Sequence, residues 1–190
     1  MEEQLHQDKT FEKISYPNKA IKGREFEDCV FKNCDFSNAD FSYNRFADCT
    51  FVCCNLTMLK LLGSTLNNVT FKECKLTGIN FSECEEFLFT VGFDNCLMDY
   101  TSFLRRKMPK TSFTDCSLKN AVFEQAVLTK AKFDNADLAG AVFEHAQLSE
   151  ADFSTAYNYT IDPEINSIKR AKFSQDGLAG LLTRYDIRVV

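Results

Sequence analysis

Tryptophan is absent from the 190-residue chain, proline occurs three times, glycine seven times and histidine twice. So little proline and glycine excludes a loop-rich or low-complexity chain. Two histidines, His6 and His145, leave little material for imidazole catalysis or a histidine metal site. No stretch approaches the ~18 consecutive apolar residues of a membrane-spanning helix. GxSxG, HExxH, P-loop and GxGxxG motifs are all missing, so the sequence offers no recognisable hydrolase, zincin or nucleotide-binding signature. The formal net charge is −5 and no basic stripe is present, which argues against direct nucleic-acid binding. The N-terminal MEEQLHQDKTFEK is acidic and polar, unlike a signal peptide. Together with nine cysteines, this gives the expectation of a cytoplasmic protein with reduced thiols.

What the chain has in excess is phenylalanine, 19 residues of it. From Ile21 every fifth residue to Phe81 is large and apolar, and from Phe93 every fifth residue to Phe153 is too. These 26 positions hold fifteen of the phenylalanines. At this apolar content, so unbroken a run has a chance probability on the order of one in a billion. Two residues before each lies a second lattice of mostly small residues. It runs through Cys29, Cys34, Ala39, Cys49, Cys54, Cys74, Cys84, Cys96 and Cys116, then through an alanine every five residues from Ala121 to Ala156. The other three positions of each unit are mainly polar.

A period of five matches neither the 3.6 of an α-helix nor the 2.0 of a strand. One large and one small inward residue per five describe a coil that turns a tight corner after each short straight side. Eight of the nine cysteines fall on the small inward lattice, and only Cys53 does not, so they read as buried small hydrophobes. Parallel stacked thiols are poorly aimed for disulfides, and there is no CxxC, so neither a metal nor another cofactor is expected.

The segments CDFSNADFSY (34–43), CKLTG (74–78) and ADLAGAVFEHAQLSEADFST (136–155) resemble the A-D-L-S-E pattern of the pentapeptide-repeat family. The resemblance implies an all-β, right-handed, four-sided β-helix in which residues 20 apart stack. Phe93, Phe113, Phe133 and Phe153 then form one column, and Phe103, Phe123 and Phe143 another. About seven coils are expected over residues 21–156, after an N-terminal cap (1–20) that uses Phe11, Ile14 and Tyr16. Residues 157–190 are expected to form an irregular coil, a final repeat turn at Ala171 and Phe173, and a capping helix, QDGLAGLLTR, with Ser174 as its cap. Leu178, Leu181, Leu182 and Tyr185 form the apolar stripe of that helix, which covers the last coil and is a candidate dimer contact. The terminal DIRVV has strand character.

Two interruptions stand out. The phase slips by two residues across 82–92, where a local bulge with its apolar residues folded back is expected; the alternative is that Phe87 and Phe89 point outward as a partner surface. At 104–110 the sequence LRRKMPK places Arg106 on an inward position. An unpaired guanidinium does not fit an apolar slot, so this side is expected to be pushed out, with Arg105, Arg106, Lys107 and Lys110 in solvent.

No enzymatic constellation emerges, and the expected role is a protein-interaction scaffold with a protein partner. The resemblance implies an alternative, because the family includes the Qnr- and MfpA-like quinolone-resistance proteins. These are acidic rods that imitate duplex DNA, bind type II topoisomerases such as DNA gyrase and dimerise through C-terminal elements. On that reading Asp28 over Asp48 and Glu124 over Glu144 form the acidic partner surface. A continuous acidic stripe would favour imitation of DNA, a patchy one a general scaffold.

Overall fold

The structure, a computed structural model, describes residues 4–188. It is a β-solenoid of about eight turns, and structurally it begins earlier than the phenylalanine run. Strands Leu5–Gln7, Glu25–Glu27, Arg45–Ala47 and Thr65–Asn67 stack in parallel on side 1. Thr10–Glu12, Val30–Lys32, Thr50–Val52, Val69–Lys72, Val91–Asp94 and Phe113–Thr114 stack on side 2. Sides 3 and 4 are held by isolated bridges such as Asp35↔Asn55 and Asp40↔Lys60. Coil 1 comprises residues 5–24, coil 4 ends on Phe81, and coil 7 ends on Phe143. Among the described residues no helix is long and apolar enough to cross a membrane.

Each five-residue unit has a plain physical logic. The residue two places after the large apolar one turns the corner with positive φ, as at Asp28 (51°), Asn33 (53°) and Asn38 (54°). Asn, Asp and Gly tolerate the left-handed region best, which is why polar residues alternate so regularly with the core lattice. The chain is then tied to its neighbours coil by coil. Asp137 N–H donates to Cys116 C=O at 3.0 Å, and Leu118 N–H to Asp137 C=O at 2.8 Å.

The axis is filled by phenylalanines in two stacks. On side 2, Phe113, Phe133 and Phe153 follow one another with centroids 5.0 and 4.6 Å apart. On side 4, Phe103, Phe123 and Phe143 do the same at 5.2 and 5.0 Å. The two stacks meet edge to face, with Phe123 and Phe133 5.9 Å apart at 90°. This is the arrangement the ring quadrupole prefers, and each fully buried ring stabilises the fold by roughly 1.5–3 kcal/mol before entropy is counted. The expected columns are therefore present.

Several expectations need correction. The first twenty residues are not a separate cap, because Leu5–Gln7 pairs with Glu25–Glu27 and Thr10–Glu12 with Val30–Lys32. His6 takes the place of a core phenylalanine and stacks on Phe26 at 5.0 Å. At the slip, Phe71 pairs with Phe93, 22 residues on, and the surplus is taken up by a 3₁₀ turn, Phe81–Glu83, and the loop 85–90. Phe89 folds back and is buried as expected, whereas Phe87 does not and is 78% exposed.

The C-terminal helix is not one α-helix. It is two 3₁₀ segments, Asp176–Leu181 and Thr183–Tyr185, with the Ser174 hydroxyl accepting from Gly177 N–H at 3.0 Å. Before it, Tyr159 and Ile161 fill the axis within the irregular stretch, and Phe173 stacks on Phe153 at 5.3 Å. Residues 186–188 form no strand, and the remainder of DIRVV lies outside the described residues.

Candidate interaction surface

With the interior filled, chemistry must come from what the columns present outward. Asp28 and Asp48 stand at the corner between sides 1 and 2, in one column with Asp8 below and Asn68 above. The Asp48 carboxylate accepts from Asn68 Nδ2 at 2.6 Å. Glu124 and Glu144 lie on side 4, where Glu124 accepts from Gln125 Nε2 at 3.3 Å. Arg105 Nε donates to Gln125 Oε1 at 3.0 Å, which brings a cation beside that pair. The fold thus stacks each acidic pair as expected but puts the two pairs on different edges and in opposite halves of the rod.

No continuous acidic stripe joins them. Along the columns acid alternates with base: Glu25 with Arg45 at 3.6 Å, Lys130 with Glu150 at 3.5 Å and Lys172 with Asp152 at 2.9 Å. The run Asp8, Asp28, Asp48 is followed in the same column by Asn68, Lys110 and Lys130.

Arg106 contradicts the expectation of a solvated basic corner. It is 5% exposed, with its guanidinium donating to the main-chain carbonyls of Glu85 at 3.1 Å, Ser82 at 2.5 Å and Cys84. It also lies 5.1 Å from the centroid of the Phe89 ring. The bulge bends these carbonyls out of the ladder, and the guanidinium satisfies them. Arg105, Lys107 and Lys110 remain exposed, with Lys107 paired to Glu86 at 2.5 Å.

All nine cysteines are free thiols; eight are buried and Cys53 is exposed. Burial pushes Cys49 up to about 11 and Cys84 up to about 12. Cys53 Sγ lies 3.6 Å from Glu73 Oε2, and partial desolvation together with that carboxylate raises its pKa. Among the described residues no group of three metal-binding side chains converges.

At the C-terminal end Leu181 packs on the core and Leu182 is half-buried. Leu178 and Tyr185 are half exposed, the Tyr185 hydroxyl donating to Glu164 at 2.7 Å. Of the four residues expected in one stripe, the structure brings only Leu181 against the core.

A model described as a pentapeptide repeat region matches residues 24–85, and a second, of eight pentapeptide repeats, matches 110–144. The chain belongs to the pentapeptide-repeat family. The interval between the two matches contains the bulge and Arg106, the part of this pentapeptide-repeat protein that departs most from the pattern. No curated protein sequence matches the chain. Among solved structures, full-length QnrB1, a plasmid-mediated fluoroquinolone resistance protein, aligns with a TM-score of 0.67 at 16% identity. That alignment covers 94% of this chain and all of QnrB1. HetL, a pentapeptide repeat protein involved in heterocyst differentiation regulation in the cyanobacterium Nostoc, aligns with a TM-score of 0.44 at 16% identity over 93% of both chains. At these identities the likeness is one of fold.

Proposed function

We propose that this rod is a protein-interaction scaffold that acts in the cytoplasm on a protein partner, with no chemistry and no cofactor of its own. The observation that carries this reading is the division of labour within each unit. Two of five side chains lock the interior, and the other three stand outward in registered columns on a ladder-bonded backbone. Such a surface presents its groups at fixed positions and loses little entropy on binding. The acid-over-base pairing between coils supports a scaffold over a duplex imitator, because it neutralises the surface that would have to resemble phosphates. To test it, photo-crosslinking residues are introduced one at a time along the outward columns in cells. The expected result is adducts to one protein from one contiguous set of positions. Adducts scattered over all four sides, or none, would overturn the reading.

A second reading is favoured by one observation, the column Asp8, Asp28, Asp48. Three carboxylates spaced by ~4.8 Å along one edge could occupy a basic groove on a topoisomerase such as gyrase. This reading expects the protein to inhibit supercoiling, or to relieve quinolone inhibition, at micromolar concentration. It also expects Asp28→Lys/Asp48→Lys to abolish the effect while the salt dependence of binding disappears. Absence of any effect on gyrase removes it and leaves the scaffold reading intact.

A further inference from the structure

Between coils 6 and 7, side 4 is closed by four main-chain bonds. Asn120 N–H donates to Ala139 C=O at 2.9 Å, Phe123 N–H to Val142 C=O at 2.7 Å and Gln125 N–H to Glu144 C=O at 2.8 Å. Val142 N–H donates back to Ala121 C=O at 2.9 Å. One coil further on, the repeat assigns Gly140 N–H to Tyr159 C=O, Phe143 N–H to Asp162 C=O, His145 N–H to Glu164 C=O and Asp162 N–H to Ala141 C=O. None of these bonds is made. Among the described residues, nothing pairs with the N–H groups of Gly140, Phe143 and His145 or with the C=O of Ala141. The ladder is intact on both flanks, where Leu138 N–H donates to Tyr157 C=O at 3.0 Å and Ser167 N–H to Ala146 C=O at 3.1 Å.

The gap is built in. At Asp162 and Pro163 the chain arches away from coil 7, with Asp162 Oδ1 accepting from Glu164 N–H and Asp162 C=O from Asn166 Nδ2, both at 2.9 Å. Asn166 is buried and closes one flank by accepting from Ala146 N–H at 2.8 Å. From the C-terminal turns, Arg184 pairs with Asp162 at 2.8 Å and with Glu164 at 3.0 Å, which holds the arch outward. Between arch and coil lies a groove of about 410 Å³, lined by residues 140–144 on one side and by Thr160, Asp162, Ile165 and Asn166 on the other. Behind it, Ile161 is buried and fills the axis. Glu144, on the groove, holds no ion pair among the described residues and stacks on Glu124, a like charge. Elsewhere the columns set acid against base, as in Lys130 with Glu150 and Lys172 with Asp152.

We propose that this open edge binds an extended segment of another protein, which adds as the missing side of coil 8 and carries a lysine or arginine over Glu144. A strand edge offers N–H and C=O groups at fixed spacing, and another main chain is what matches it. Unpaired main-chain groups that water reaches poorly cost free energy, and the added segment recovers it. Its residue over Val142 donates to Ala141 C=O and accepts from Phe143 N–H, as Val142 itself does between Ala121 and Phe123. The next, over Phe143, points inward and must be small, because Ile161 already occupies the axis. The third, over Glu144, points outward, accepts from His145 N–H and carries the cation. That cation restores the acid-over-base pairing and relieves the Glu124–Glu144 repulsion. This rests on the scaffold reading only in taking the partner to be a protein.

Amide exchange is first measured on the full-length chain alone. Phe143 and His145 should exchange at least about tenfold faster than Phe123 and Gln125, their ladder-bonded counterparts. A phage-displayed library of random dodecapeptides is then selected on the same protein, and the recovered peptides are synthesised. They are expected to share a small residue followed by lysine or arginine, and to bind with Kd on the order of 10–100 µM. Bound peptide should slow exchange at Phe143 and His145. Replacing the amide N–H of the residue before the small one by an ester oxygen should weaken binding at least about tenfold, whereas the same change at the small residue should not. Glu144→Lys should weaken these peptides by a similar factor and favour counterparts with glutamate in place of the cation. Circular dichroism melts control for folding, since Glu144 is exposed. Slow exchange at Phe143 and His145 in the free protein, binding that leaves them unprotected, or affinity unchanged by the ester or by Glu144→Lys overturns the proposal. So does a library that yields no binder. Peptides that map instead to outward columns, such as that of Asp28 and Asp48, would overturn the open-edge site and leave the scaffold reading standing.

Discussion

Arg106 donates to the main-chain carbonyl of Glu85 at 3.1 Å, so the residue that interrupts the inward lattice holds the loop that breaks its phase. The carbonyls of Ser82 and Cys84 share the same guanidinium. Arg106→Ala leaves these buried acceptors without a donor, where each unsatisfied group costs roughly 1–3 kcal/mol. Allowing for water entering the space, a loss of about 2–4 kcal/mol is expected in denaturant unfolding. Arg106→Lys should recover only part of it, since an ammonium cannot match the planar fork. A fully stable Arg106→Ala protein would show that the bulge holds itself.

Ala136 has no exposed surface, and Lys132, four residues earlier, stands outward at the middle of side 2. Ala136→Leu should cost about 1–3 kcal/mol or more through overpacking, whereas Lys132→Leu should stay within about 0.5 kcal/mol. Asn135 is a poor control for this comparison. It sits at φ 53° and donates from Nδ2 to Asp115 at 3.1 Å, so leucine there would be strained as well. Equal melting temperatures for the Ala136 and Lys132 variants would refute the register.

The lattice was legible because each unit restates the same steric rule, one large and one small residue inward. The places that could not be read are those where a residue outside the rule has two physical solutions. Arg106 could leave the core or find acceptors inside it, and only the bent carbonyls of the bulge decide. His6 and Tyr16 hid the first coil, because neither is the Phe or Leu that marks a core position, and Tyr16 is 42% exposed. The stacking of Asp28 on Asp48 and of Glu124 on Glu144 followed from the 20-residue period. Their separation onto different edges and opposite halves follows from which unit of the coil each occupies, and it divides the expected acidic surface.

Buried thiols should be slow to react. Burial holds Cys49 and Cys84 protonated at neutral pH, with pKa values of about 11 and 12. In the folded protein Cys53 should therefore be labelled first by a thiol reagent, and little else until unfolding. Glu73→Gln should accelerate Cys53 labelling at pH 8, because it removes the carboxylate 3.6 Å from the sulfur. Rapid labelling of Cys34, Cys54 and Cys74 would mean that the lattice is open.

The C-terminal turns close the last coil through a contact too tight for a side chain. A Cβ on Gly180 would stand 2.1 Å from the Tyr159 carbonyl oxygen, and Ile161 N–H donates to Gly180 C=O at 3.0 Å. Gly180→Ala should loosen this cap, expose Phe173 and Leu181, and raise the local rate of amide exchange at Ile161. Deletion of residues 174–190 should go further and cause aggregation through the uncovered coil. A truncated chain that is soluble and equally stable would show that the turns are not a cap.

Acid should weaken the same end of the rod. The Ser154 hydroxyl, 2.6 Å from Asp152, and the Lys172 ammonium, 2.9 Å away, lower the Asp152 pKa from 3.8 to about 2. The group binds its proton more weakly folded than unfolded, so its contribution is full above about pH 4 and is lost as pH falls through 2. With Lys172 exposed and the pair screened, the contribution is of order 1 kcal/mol. Asp152 lies in the last full coil and Lys172 in the terminal partial turn, so the bond being lost is the one between them. Melts between pH 5 and 2 should therefore show a steeper fall for the parent than for Asp152→Asn. The variant should start lower at neutral pH and converge on the parent near pH 2. Parallel curves across that range would mean that the carboxylate is no more acidic in the folded chain than in the unfolded one.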